Sequence, residues 1–401
     1  MKVIIDGMPL GAGHQSASGR TGIYRVVDHL VQGLVRSENC DLNLITTNFH
    51  TGLQAYCKEH QDLRLQVAYP TTLDRVIEKV RRRADLFNIV GPIVPDTNLD
   101  KLLRNSDVYH SPYSPLPTVV QNSKIKKFLT VHDLIPITHP EYFSESGVPF
   151  VEVAINSMKY DGTFFCVSHA TKNDLCSHFR IDPARVVVTH LAASPTLFRK
   201  IQTPDIIDFT RIKYNIGQCP YYLSLCTFEP RKNIILTIRS FIALIEQECL
   251  SDVKLVLIGT MGWGFKDIFD ELGLMDHVKS SRIIMPGFVD DKDLAALYSG
   301  ALAFLYPSFY EGFGLPPLEA MQCGLPVITS NTSSLPEVVG DAGLQIDPRN
   351  ADELSHSMLK LYKDENLRAN LSRLALERSK IFSWEKFTED TITAYSNAVH
   401  Q

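Results

Sequence analysis

At 401 residues, 44% hydrophobic and 21% charged, the chain has the length of two or three globular domains. That excludes a disulfide-stapled miniprotein, a collagenous repeat or a disordered tail. Forty basic against forty-five acidic side chains give a net charge of -5, so no global positive field gathers nucleic acid.

In chain order, MKVIIDGMPL reaches Asp6 after three apolar residues, too soon for a signal peptide. No apolar run approaches the roughly 18 residues needed to cross a bilayer, and the expected place is the cytoplasm. Lys2 to Asp6 reads as a buried strand, followed by a glycine-rich loop and a helix from Gly22 to Ser37. Gly11-Ala-Gly13-His-Gln-Ser16 falls short of G-x-G-x-x-G, and no acidic residue stands about twenty positions on at a strand end, which argues against a dinucleotide cofactor. Short apolar runs at 42–46, 63–69, 127–131, 163–167 and 185–189 continue an α/β pattern. Val108 to Ser123, uncharged and with three prolines, reads as an ordered loop, and Ser168 as the cap of the next helix.

Thr72 to Phe87 carries Leu73, Val76, Ile77, Val80, Ala84 and Phe87 at helical spacing, with Arg75, Lys79, Arg81, Arg82 and Arg83 among them. This basic amphipathic helix either docks on its own domain by its apolar side or meets anionic lipid. The segment KIQTPDIIDFT breaks the rhythm and sets the domain joint at 205/206. Beyond it, buried strands are expected at 221–226, 255–258, 283–285, 303–305, 327–329 and 344–346. Strands apolar throughout indicate parallel sheets covered on both faces. The expected architecture is α/β, two Rossmann-like domains (1–205 and 206–380) facing a cleft, with a last helix over 381–401 that contains Trp384. The eight cysteines, at 40, 57, 166, 176, 219, 226, 249 and 323, have no metal-ligand spacing and read as reduced core residues.

Chemistry concentrates in Tyr306 to Leu335. A strand ends, a loop with Gly312 and Gly314 follows, and Pro316 and Pro317 mark the first turn of a helix closed by Gly324. Glu319 is expected in that first turn. A helix start of this kind offers free N–H groups to an anion, phosphate being the natural guest. Glu311 and Glu319 are either a functional carboxylate pair or a solvated loop residue and a dipole-stabilising one. Arg231 and Lys232, at the mouth of a helix beginning near Asn233, are either a solvated surface pair or two cations facing one anion. His132 and Asp133 close a strand in the first half, where a lone histidine is as readily structural as functional.

The order EPRKN, LVLIGTMGWG, GFVDDKDLAALYSGALAFLYPSFYEGFGLPPLEAMQCGLPVITSN, SSLPEVVGDAGL resembles the retaining GT-B glycosyltransferases of the glycosyltransferase family 4 type. Its flavour resembles bacterial mannosyltransferases of cell-surface polysaccharide assembly. The first half agrees only at GRTGIYRVVDHL, VHDLIP and VSHATKNDL. The resemblance implies that Glu311 contacts the donor sugar, Glu319 the ribose, and Arg231 with Lys232 the diphosphate. The backbone at Gly312, Phe313, Gly314 and Leu315 would complete the phosphate site, and Gly287, Phe288 and Val289 would lie beside the base. His132 would face the sugar, Asp133 would orient its loop or meet an acceptor hydroxyl, and Gly22 would let its domain approach the diphosphate. The last helix would cross back to brace the first domain. His190-Leu-Ala-Ala-Ser194 departs from the Asn-Gly-Val-Asp of many relatives.

Fixed positive groups at a departing diphosphate lower the barrier where charge develops, so no cofactor or obligatory metal is expected. The implied partners are a nucleoside diphosphate sugar, GDP-mannose first and UDP-glucose next, and a glycan or lipid-linked acceptor, with peripheral membrane contact through 72–87. A sugar-nucleotide epimerase and a carbohydrate-binding protein are the rival readings.

Overall fold

The computed structural model describes residues 1–15, 22–46, 49–63, 65–67, 97–143, 149–158, 160–260, 262 and 282–400. The basic segment Thr72 to Phe87 lies outside them. The chain divides into two compact units, one of Met1–Thr138, Ser146–Leu191 and Trp384–Gln401, the other of His139–Glu145 and Ala192–Ser383. The break at Leu191/Ala192 thus precedes the expected joint. The segment expected to interrupt the rhythm instead carries a helix, Pro204–Lys213, whose Ile206, Phe209 and Ile212 are exposed. Its outward apolar residues give no buried stripe for sequence periodicity to find.

The first unit holds seven parallel strands: β1 (Lys2–Asp6), β2 (Asp41–Ile45), β3 (Gln66–Val67), β4 (Val108–Ser111), β5 (Lys126–Val131), β6 (Thr163–Cys166) and β7 (Val186–Val188). Their order is β3-β2-β1-β4-β5-β6-β7. The strand β4 corrects the loop expected there, since it pairs with β1 on one side and β5 on the other, at the middle of the sheet. Its His110 is buried, with Nδ1 2.5 Å from the Tyr395 hydroxyl and Nε2 2.8 Å from Thr130 Oγ1. Burial, assisted by His132, pushes its pKa down to about 3, so the ring is neutral. Ser168 accepts from the Thr171 N–H at 3.0 Å and caps helix His169–Phe179 as expected.

Helix Gly22–Arg36 buries Val26, Val27, Leu30, Val31 and Leu34, one stripe of a 3.6-residue period. Helix Trp384–His400 packs against it within the same unit, with Trp384 stacked on His29 at 4.1 Å. A Cβ on Gly33 would stand 2.1 Å from Thr388 Oγ1, so the crossing requires glycine.

The second unit holds six parallel strands: β8 (Tyr221–Leu225), β9 (Lys254–Ile258), β10 (Ile283–Gly287), β11 (Ala303–Tyr306), β12 (Val327–Ser330) and β13 (Leu344–Ile346). Their order is β10-β9-β8-β11-β12-β13. Numbered from its own first strand, that is 3-2-1-4-5-6, the doubly wound order, whose ligand crevice lies where the order reverses, outside the carboxyl ends of β8 and β11. All eight cysteines are unpaired; Cys166, Cys226 and Cys323 are buried, but Cys249 is exposed rather than in a core. Among the described residues no helix is long and apolar enough to cross a membrane.

Candidate functional site at the carboxyl ends of β8 and β11

From β8 the chain passes through a 3-10 turn, Pro230–Lys232, into helix Ile234–Gln247. Asn233 joins the two in a left-handed conformation, φ 56°, tolerated because its buried amide donates to Pro307 O at 3.1 Å and Pro348 O at 2.7 Å. The turn therefore projects Arg231 and Lys232 toward the end of β11. The main chains lock there as well, the Phe309 N–H donating to Arg231 O at 2.9 Å.

Glu311, on the loop after β11, receives both cations. Its Oε1 accepts from Lys232 Nζ at 2.6 Å and from Ser308 Oγ at 2.7 Å, while Oε2 lies 2.9 Å from Arg231 Nη1. Burial alone would raise this carboxyl, but the Arg231 and Lys232 charges and the hydrogen bonds from Lys232 and Ser308 outweigh it and hold the pKa at about 2. Arg231 also donates to Tyr310 O at 2.7 Å and pairs with Glu229 at 2.6 Å. The expectation that Glu311 could be a solvated loop residue is overturned, because it is buried. So is the solvated-pair reading of Arg231 and Lys232.

The loop is laced to the end of β12 and the turn after it by four hydroxyls. Ser330 Oγ donates to Ser308 O at 2.5 Å, and Thr332 Oγ1 to Phe309 O at 2.9 Å. Ser333 Oγ accepts from the Glu311 N–H at 3.0 Å, and Ser334 Oγ offers its proton to Glu311 O and Phe313 O at 2.9 and 2.6 Å. Ser333 holds φ 53°, an uncommon conformation for serine. These hydroxyls, with Ser308, Tyr306, Asn233 and Glu229, were not assigned from sequence. The density of hydroxyls in SNTSS was their one visible signal.

Helix Leu315–Gln322 opens at Gly314, φ 116°, where a Cβ would stand 2.9 Å from Leu335 Cδ2. Phe313 is buried edge-on against Phe382, and Gly312 and Leu315 are half-buried beside it. Glu319 falls in the second turn, not the first, because the helix starts at Leu315. It is buried, and the Tyr298 hydroxyl donates to its Oε2 at 3.3 Å. Gly287 ends β10 at φ 75°, Phe288 is exposed and Val289 is buried.

The remaining expected residues belong to the first unit. His132 Nε2 lies 2.9 Å from Pro112 O; burial pushes its pKa down to about 4 against the pull of that carbonyl, so the neutral ring donates through Nε2. Asp133 Oδ1 accepts from the Ile135 N–H at 3.1 Å, at the start of helix Ile135–Thr138. Gly22 opens its helix with nothing within 4 Å of where a Cβ would be.

Residues 207–378 match the family described as glycosyl transferases group 1. Over 289 residues the chain is 36% identical to the O-antigen chain mannosyltransferase B of Escherichia coli, covering 72% of this chain and 74% of that protein. The serotype-specific mannosyltransferase WbdA of Escherichia coli is 30% identical over 279 residues, 69% of this chain and 34% of its own length. Among solved structures, Anabaena HepE in complex with UDP and glucose superposes with a TM-score of 0.69 at 16% identity, over 98% of this chain and 99% of that one. Its two parallel α/β units give this protein the GT-B fold, and the chain belongs to the group 1 glycosyltransferases.

Proposed function

We propose that the chain is a retaining, metal-independent mannosyltransferase that moves mannose from GDP-mannose to a glycan or lipid-linked glycan acceptor in cell-surface polysaccharide synthesis, at the cytoplasmic side of a membrane. The observation that carries the reaction is the buried cluster of Arg231, Lys232 and Glu311 at the switch point of the second sheet. The choice of mannose is supported by the Escherichia coli mannosyltransferases to which the chain is similar.

In this reading Arg231, Lys232 and the backbone from Gly312 to Leu315 take the diphosphate, offsetting the negative charge that grows as it leaves. Two fixed cations and a helix start supply what a divalent ion would. Glu311 stands by the transferred sugar as its ring gains oxocarbenium character, Glu319 holds the ribose, and the exposed Phe288, flanked by Gly287 and Val289, lies beside the base. Asp133 orients its loop, consistent with its hydrogen bond to Ile135 N.

The test incubates the full chain with GDP-mannose, UDP-glucose or ADP-glucose and a mannose-terminated lipid-linked oligosaccharide, with and without EDTA. Product mass and anomeric configuration are read by mass spectrometry and NMR. An α-mannosylated product from GDP-mannose, undiminished by EDTA, is expected. Glucose transfer alone would refute the donor, a β-product the retention, and loss with EDTA the metal independence. A new sugar nucleotide from donor alone would favour an epimerase.

A further inference from the structure

Three acceptors surround the Arg231 guanidinium. Glu229 Oε1 is 2.6 Å from Nη2, while Tyr310 O and Glu311 Oε2 are 2.7 and 2.9 Å from Nη1. Glu229 is placed by the turn itself, since its carbonyl accepts the Lys232 N–H at 3.0 Å while its own backbone stays extended. The two nitrogens of one guanidinium are thus gripped from opposite sides, by a carboxylate before the turn and by the loop after β11. A planar fork held at both tines does not swing.

The charges matter as much as the geometry. Arg231 and Lys232 are matched by Glu311 and Glu229, so the cluster carries no formal net charge where the proposed function brings a diphosphate. Two unopposed cations would hold that anion tightly before and after transfer alike, which gains nothing in turnover.

We propose that Glu229 is a positioning residue that fixes the Arg231 guanidinium and offsets its charge, setting how firmly the site holds a nucleoside diphosphate and how readily it lets the product go. This rests on the assignment of Arg231 and Lys232 to the diphosphate. Glu229 suits the task better than Glu311. Its side chain is 22% exposed against 10%, and on its removal Arg231 keeps Glu311 and Tyr310 O, so no buried cation is orphaned.

The experiment measures GDP, UDP and guanosine binding to the full chain by calorimetry at low and high salt, for wild type, Glu229→Gln and Glu229→Ala, together with steady-state kinetics. Glu229→Gln keeps an oxygen for Nη2 but no charge. It should bind GDP about three- to tenfold more tightly, leave guanosine affinity unchanged, and lower kcat and donor KM together as product release slows. The gain should shrink with added salt. Glu229→Ala, which frees Nη2, should bind GDP more weakly than Glu229→Gln. Wild-type GDP binding with no tightening in Glu229→Gln, or an equal change for guanosine, would overturn the inference alone. A wild type that binds neither diphosphate would remove the reading of the site and this inference with it.

Discussion

The hydroxyl of Tyr306, the last residue of β11, lies 2.8 Å from the ammonium of Lys232, which also sits 5.2 Å from the centre of the same ring. Burial and the neighbouring Glu311 push the phenol well above its ordinary range, so it accepts from Lys232 and never competes with Glu311 for charge. The ammonium is aimed by a phenol at the end of β11 and a carboxylate on the loop that follows. Tyr306→Phe should cost about 1 kcal/mol of stability in urea denaturation and weaken GDP binding severalfold, with guanosine binding unmoved. An unaltered GDP affinity would mean that Glu311 aims Lys232 unaided.

Glu311→Gln removes the one carboxylate shared by Arg231 and Lys232. In the wild type the folded carboxyl titrates below the unfolded one, so its contribution is complete above about pH 4.5 and is lost as the pH falls toward 2. The contribution is on the order of 3 kcal/mol. The variant should be less stable at pH 7 and show a flatter stability profile between pH 4.5 and 2. Added GDP, by supplying the missing negative charge, should raise its Tm by more than it raises that of the wild type. Under the proposed function, in which Glu311 stands by the transferred sugar, turnover should fall on the order of 10²-fold. Thermal melts with and without GDP, alongside initial rates, check each part.

Asp6 ends β1, at the point where the first sheet reverses its order. It is buried, its Oδ1 accepting from the Met8 N–H at 3.0 Å, and burial raises its pKa to about 6 despite that hydrogen bond. A carboxyl that binds its proton more tightly when folded stabilises below about pH 4, and this is lost as the pH rises through 6. Asp6→Asn, which keeps the acceptor for Met8, should therefore be more stable than wild type at pH 8, by on the order of 2 to 3 kcal/mol. The difference should vanish near pH 3.5. Tm measured across that range decides it, a constant offset counting against the burial argument.

Tyr395→Phe removes the hydroxyl that meets His110 Nδ1 while keeping the ring packed on Phe128 and Phe165. An orphaned buried ring nitrogen costs roughly 1 to 3 kcal/mol. The loss should appear in chemical denaturation, with hydrogen exchange accelerated in Trp384–His400 and β4. Exchange unchanged in both elements would show that the aromatic packing alone holds the helix.

Legibility followed hydrophobic continuity. The strands of the second unit are mostly apolar and can be read as such, whereas β4 is four residues, includes His110 and Ser111, and runs straight into proline-rich chain. Helix Pro204–Lys213 was missed because Phe209 and its apolar neighbours face outward. Arg231, Lys232 and Glu311 could each be singled out from local spacing and resemblance. Their convergence on one carboxylate depends on β8 lying beside β11, and strand order is a tertiary fact that no local pattern carries. Glu319 falls one position past the first turn because the prolines sit at the second and third helical positions, so the helix starts a residue before them.

The membership of Trp384–Gln401 in the first unit has a consequence for biosynthesis. A ribosome delivers these residues after all of the second unit, so the sheet that begins folding earliest waits longest for its final helix. Until then His29 lacks its indole and His110 its phenol. Nascent chains stalled before Trp384 should yield a protease-resistant second unit beside a first unit that is still cleavable.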